Sequence, residues 1–135
     1  MALAPDLDRH SVCALETIGR RTGRPRRIEI WFAVDPDRDR IYLLSGGRDG
    51  AHWVRNIRRD GHVRVRIEDR WFDGLASEVE GAPDEGLARR LLAAKYQGWV
   101  DGASLSSWAR TSLPVAIDLR PAPAGAGIDG GEGRA

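Results

Sequence analysis

Cysteine is nearly missing from this chain of 135 residues, where Cys13 stands alone. A lone thiol closes no intrachain disulfide and builds no cysteine-rich metal site, so a reducing compartment is expected and Cys13 reads as a small apolar strand residue. The three histidines, His10, His52 and His62, are too scattered to suggest a metal site, and none is expected. No apolar run approaches the ~20 residues of a membrane span. The stretch from Met1 to Asp6 has no basic segment leading into a long apolar one. The chain is therefore expected to be cytoplasmic, with no integral membrane segment. Lysine is as scarce as cysteine: Lys95 is the single one among 21 basic residues. Arginine suits bidentate recognition of phosphate or carboxylate, although a GC-rich genome would leave the same bias without a functional meaning.

What is present is charge of both signs, unevenly placed. Residues 1–70 hold 15 arginines against 11 acids and residues 71–135 hold 6 basic residues against 9 acids, so the halves carry +4 and −3 within a net +1. The excess gathers in Gly19-Arg20-Arg21-Thr22-Gly23-Arg24-Pro25-Arg26-Arg27, with five arginines among eight residues at a Gly-punctuated turn. Alone, this is a solvated basic hairpin. A second element, Ser45-Gly46-Gly47-Arg48-Asp49-Gly50, ends three residues before Trp53. Glycine-rich turns that open a helix present backbone N–H groups and a positive dipole end to anions. The two elements together point to a phosphorylated ligand.

In chain order, residues 1–10 carry no period and are expected to form a flexible arm. Ser11 to Ile18 reads as a strand. Arg26 to Val34 alternates, with Ile28, Ile30, Phe32 and Val34 on one face and Arg27, Glu29, Trp31 and Ala33 on the other, which predicts one half-buried antiparallel strand. Arg40–Ser45 returns as its hairpin partner after the turn chemistry of Asp35–Asp39. A short helix follows over Ala51–Arg59, with Gly61 placed as its C-cap. Strands follow at His62–Ile67 and Trp71–Glu80, where Gly74 signals a bulge or a close backbone approach. A longer helix begins at Pro83-Asp84-Glu85, with Leu87, Leu91 and Ala94 as its apolar stripe, and Val115–Leu119 closes as the last strand. Gly98–Ser112 reads as a helical turn or lid-like loop. The expected class is mainly β (α+β), a six-stranded antiparallel barrel-like fold with one short and one longer helix, spanning 11–120 and followed by a disordered Gly/Ala-rich tail over 121–135.

The basic turn, the apolar strand after it, Ser-Gly-Gly-Arg-Asp-Gly and His52-Trp53-Val54-Arg55-Asn56-Ile57-Arg58-Arg59-Asp60 resemble, in order and spacing over roughly residues 11–119, the deazaflavin-dependent nitroreductase family. That resemblance implies coenzyme F-420 as cofactor and the FMN-binding split β-barrel fold. It implies phosphate contacts from Arg21 and Arg26, with Arg20, Arg24 and Arg27 free for the tail carboxylates. The cofactor loop would be Ser45, Gly46, Gly47, Arg48, Asp49 and Gly50, and the family's Trp-x-x-Asn would be Trp53 and Asn56. His52 directly precedes Trp53, where relatives commonly have a proline and one more residue between, so the loop is shorter here. Where some relatives carry tyrosines over the substrate, this chain offers Trp99 and Trp108.

Hydride transfer asks the protein mainly for binding and orientation, so no catalytic nucleophile, triad or metal is expected. Trp31 either walls the cofactor ring and substrate pocket or packs against a helix or a dimer partner. Trp53 and Trp71 read as core. Asn56 bonds either the cofactor or the backbone of the preceding loop, with the loop favoured. The expected function is an oxidoreductase passing hydride from reduced F-420 to a quinone, an enone or a nitroaromatic. The alternatives are an FMN-dependent enzyme of the same fold, a cofactor-binding protein without turnover, and a basic β-barrel for nucleic acid. Against the last stands a pI of about 8.0, below the usual range above about 9. A homodimer stays open.

Overall fold

The computed structural model describes residue 3 and residues 5–122, so most of the expected tail lies outside the described residues. The chain runs β1 (Cys13–Ile18), β2 (Pro25–Ile30), β3 (Ala33–Val34), β4 (Arg40–Ser45), α1 (His52–Arg59), β5 (His62–Ile67), β6 (Arg70–Glu78), α2 (Glu85–Gln97), α3 (Ser107–Thr111) and β7 (Leu113–Pro121). All strand pairs are antiparallel, in the order β2-β1-β5-β6-β7-β4-β3. The class is mainly β, as the sequence predicts, but with seven strands among the described residues in place of six. The expected strand Arg26–Val34 is two strands: Ile30 ends the ladder on Cys13 of β1, and Ala33 begins a new one on Tyr42 of β4. Residues 31 and 32 are the joint, so both edges of the sheet come from one short stretch of chain and the sheet curls towards closure.

The core explains why the joint falls there. One apolar cluster fills the inside of the sheet, with Leu15, Phe32, Ile41, Leu43, Val65, Ile67 and Ile117 at 0 % exposure. Each such side chain contributes roughly 1.5–3 kcal/mol through removal from water. A second cluster, built from Ala33, Tyr42, Leu44, Ala88, Leu92 and Ala116, lies between the sheet and α2. Phe32 enters the first cluster and Ala33 the second, so from the joint onwards both faces of the chain are covered, whereas β2 is largely exposed. Strand β4 is buried on both faces for the same reason. On α2 the fully buried residues are Ala88, Arg89, Leu92 and Ala93; of the predicted stripe, Leu87 and Leu91 pack half-buried against the second cluster and Ala94 is exposed. Small Ala88 lets the helix approach the sheet closely.

Two further expectations change. Pro5–Arg9 forms a 3-10 turn rather than part of a flexible arm. It is held by Leu7 at 2 % exposure and by Asp8 Oδ1, which accepts the Val34 N–H at 2.8 Å. The C-cap of α1 is Asp60 in an extended conformation. Gly61 serves a close approach instead, because a Cβ there would meet Ala76 O at 2.9 Å. Gly74 is likewise a close-approach residue, since its Cβ would fall 2.6 Å from Ile117 Cγ2.

Under α2, the Tyr42 hydroxyl is fully buried, donates to Asp35 Oδ2 at 2.6 Å and lies 2.9 Å from Asp84 Oδ2. Arg38 and Arg40 each reach Asp84 at 2.6 Å. Burial pushes the Asp35 and Asp84 carboxyls up. The hydrogen bond from Tyr42 outweighs it, together with the Asp37 N–H and Arg38 at Asp35 and with Arg38 and Arg40 at Asp84, and both end below the ordinary range. A carboxyl with a lower pKa folded than unfolded stabilises the protein above its unfolded pKa near ~3.9, and that stability is lost as pH falls through the folded value. Tyr42→Phe is expected to lower stability by about 1–3 kcal/mol near neutral pH, and by less below pH ~3. Thermal unfolding across that range checks this, and an undiminished deficit in acid would disprove the linkage.

Candidate functional site

The basic turn joins β1 to β2 and is shaped by its own backbone. The Gly19 N–H bonds Arg24 O and the Gly23 N–H bonds Gly19 O, both at 2.8 Å, with Gly23 at φ +71 in the region glycine favours. Helix α1 braces the turn from one side through Asn56, which is 3 % exposed. Its Oδ1 accepts from the Arg20 backbone N–H at 3.2 Å and from Arg20 Nη1 at 2.9 Å, and its Nδ2 donates to Thr17 Oγ1 at 3.0 Å. The partner that the sequence favours is the loop before α1; the structure pairs Asn56 instead with the β1–β2 turn and with Thr17 of β1. Arg20 Nη2 also lies 3.2 Å from His52 Nδ1 at the start of α1.

Between turn and helix lies a cleft of about 600 Å3, with Arg20, Arg21, Arg26, His52, Trp53 and Asn56 among its walls. Arg21, Arg24 and Arg26 are exposed, and among the described residues none of the three makes an ion pair. Arg27 is spent on Glu16 at 3.1 Å. Arg24 belongs to the same turn but does not wall the cleft. Guanidiniums this close together, unneutralised and beside a partly enclosed volume, are poised for an anion.

The glycine-rich loop lies elsewhere, and none of its residues walls the arginine cleft. Ser45 is 3 % exposed and donates to Arg48 O at 2.9 Å. Arg48 sits at φ +51, grips both Glu80 oxygens at 2.6 and 2.7 Å and donates to Thr111 O at 2.6 Å. Asp49 pairs with Arg58 at 3.3 Å. The charges of Arg48 and Asp49 are thus used within the protein, while Gly47 and Gly50 carry the chain through a 3-10 turn into α1. Gly46 faces Trp108 of α3: a Cβ there would lie 3.5 Å from Trp108 Cδ1.

Trp31 occupies the joint between β2 and β3 and is 43 % exposed. Its ring stacks on Tyr96, with centroids 4.3 Å apart and planes 2° apart, and meets Trp108 edge-on at 5.4 Å. Trp99 is outside this group and donates from Nε1 to Ala103 O. Sequence reasoning misses Tyr96. Burial pushes its phenol up to about 12, so it stays neutral, with its hydroxyl donating to Ser11 O at 2.8 Å. The signal was its place in the last turn of α2, on the side that meets the joint. Trp71, read as core, instead stands half-buried on the outer sheet face with Arg64 stacked 4.3 Å from its centroid. Its neighbour Phe72 takes the core side.

The molecule thus offers exposed guanidiniums at the cleft and, separately, a glycine beside stacked aromatics at the joint. The family described as F-420H(2)-dependent quinone reductase matches residues 3–120. Among solved structures, an F-420 reductase is 21 % identical with a TM-score of 0.61, covering 84 % of this chain and 90 % of that one. An F-420-H2-dependent reductase is 20 % identical with a TM-score of 0.57, covering 82 % and 94 %. The heme storage protein HutZ of Vibrio cholerae is 19 % identical with a TM-score of 0.61, covering 90 % and 92 %. At such identities these three speak for the fold alone.

Proposed function

The chain belongs to the F-420H(2)-dependent quinone reductase family and is an F-420-dependent oxidoreductase with coenzyme F-420 as its cofactor, and from that premise we propose that its acceptor is a small electron-poor molecule, a quinone, an enone or a nitroaromatic. The observation that carries the reading is the arginine cleft beside α1, where the exposed Arg21 and Arg26 have no carboxylate partner among the described residues. Arg21 and Arg26 hold the coenzyme phosphodiester. Arg20, positioned by Asn56 and His52, adds a third donor, and Arg24 at the turn tip takes carboxylates of the coenzyme tail. Trp53 packs along the cleft wall. When bound in its reduced form, F-420 supplies the hydride.

The acceptor lies against the Trp31, Tyr96 and Trp108 rings, which offer flat apolar surface to a conjugated molecule and exclude water from it. Trp99 takes no part. Tyr96, neutral and tied to the backbone at Ser11 and Phe32, keeps the Trp31 ring from turning away.

The test is a fluorescence titration with oxidised F-420 and with FMN at two salt concentrations. F-420 is expected to bind at least tenfold more tightly than FMN, and its affinity to fall as salt screens the exposed arginines over a Debye length of about 8–10 Å. Tighter FMN binding, or F-420 binding indifferent to salt, would refute this assignment of the cleft.

A further inference from the structure

Among the described residues, one buried hydroxyl has no hydrogen-bond partner. Ser112, which ends α3, is 1 % exposed, and its Oγ makes no hydrogen bond. Its backbone is fully used: the N–H donates to Trp108 O at 3.1 Å and the carbonyl accepts from Arg89 Nη1 at 2.8 Å. An unpaired buried hydroxyl destabilises a fold, and in a native structure it calls for a reason. Alanine at this position would avoid the cost.

The reason lies beside it. Gly46 is exposed and has no side chain, and the space a Cβ would take there is 3.7 Å from Trp108 Nε1 and 3.9 Å from Ser112 Oγ. Two hydrogen-bond donors, a hydroxyl and an indole N–H, therefore border one gap, next to the ring stack of Trp31 and Tyr96. The frame around the gap is held from several sides. Arg48 ties the glycine loop to Thr111 O, Arg89 ties α2 to Ala109 O and Ser112 O, and Ser106 Oγ caps α3 at the Ala109 N–H. The Trp108 indole, on a five-residue helix, borders the gap beside the hydroxyl.

We infer that Ser112 Oγ and Trp108 Nε1 together receive a carbonyl oxygen of the ring system handled at Gly46, belonging either to the acceptor or to the coenzyme ring. The inference rests on the F-420 reading above. With an acceptor carbonyl, hydride from the reduced coenzyme adds to a carbon of the conjugated system and the π pair moves onto the oxygen. The two donors stabilise that growing negative charge, and water delivers the proton that completes the two-electron reduction.

Ser112→Ala separates the possibilities, with menadione as acceptor and F-420 binding measured on the same sample. The variant is expected to melt no lower than the wild type, because it loses an unsatisfied group, while kcat/KM falls at least about tenfold for the loss of one such donor. If the Kd for F-420 is unchanged, the oxygen is the acceptor's; if it rises in step, the oxygen belongs to the coenzyme ring. Gly46→Ala, whose Cβ meets Trp108 at ordinary contact distance, fills the gap and is expected to raise the KM or the Kd in the same direction. Wild-type values of kcat/KM and Kd in Ser112→Ala would overturn the inference and leave the F-420 reading intact. A wild-type protein that neither binds F-420 nor reduces menadione would take both down.

Discussion

Replacing Arg21 and Arg26 together with alanine is expected to weaken F-420 binding by about 10²–10³-fold. Charge-assisted hydrogen bonds are worth about 1.5–3 kcal/mol each, and both side chains are exposed, so the lower part of that range applies. Two of them sum to about 3–4 kcal/mol, at about 1.4 kcal/mol per tenfold. Because neither arginine is buried or ion-paired among the described residues, the melting temperature should hardly move. Lysine at both positions would recover only part of the affinity, since an ammonium is a point charge without the guanidinium fork. Undiminished F-420 affinity in the alanine pair would remove the turn from the binding site.

Asn56→Ala is expected to cost about 2–4 kcal/mol of stability, because it strands the Arg20 N–H and Thr17 Oγ1 in a buried position. For a domain of this size that lowers Tm on the order of 10 °C. The variant should also bind F-420 more weakly, although its amide faces the turn, because Arg20 loses its brace. A double-mutant cycle with Arg20→Ala tests the route: coupling of at least about 1 kcal/mol in binding is expected for residues in contact, and additive effects would mean that Asn56 acts independently of Arg20.

Much of this architecture is legible in the sequence, and the failures have common causes. The strand positions, both longer helices and the basic turn follow from period, punctuation and charge. The division of Arg26–Val34 does not, because alternation reports which face a residue takes and not which strand it pairs with. The same blindness misplaces Trp71: beside Phe72, two adjacent aromatics compete for one core side, and period alone cannot choose. The stripe of α2 is partly misjudged: Leu87 and Leu91 do pack against the second cluster, but the deepest positions fall to Ala88, Leu92 and Ala93, and small alanines stand out little in a pattern dominated by leucines. In the candidate site, charge clustering reveals Arg21 and Arg26, but whether a charge is free depends on long-range neighbours. Arg48 looks equivalent in sequence, yet Glu80, 32 residues on, takes it. The Trp31–Tyr96–Trp108 group joins three distant segments: the sequence singles out Trp31 and Trp108 but passes over Tyr96, whose one signal is its place in the last turn of α2.

The joint at residues 31–32 also leaves the sheet with two open sides, and an open strand side is where copies of a protein zip together into aggregates. One side, β3, is only two residues long and offers little to template on. The other, β2, begins with Pro25, which has no N–H to offer, and continues with Arg26 and Arg27, which repel the same strand of another molecule. The arginines of this strand thus also guard solubility, and an anion bound among them would relieve the repulsion only while shielding part of that strand itself.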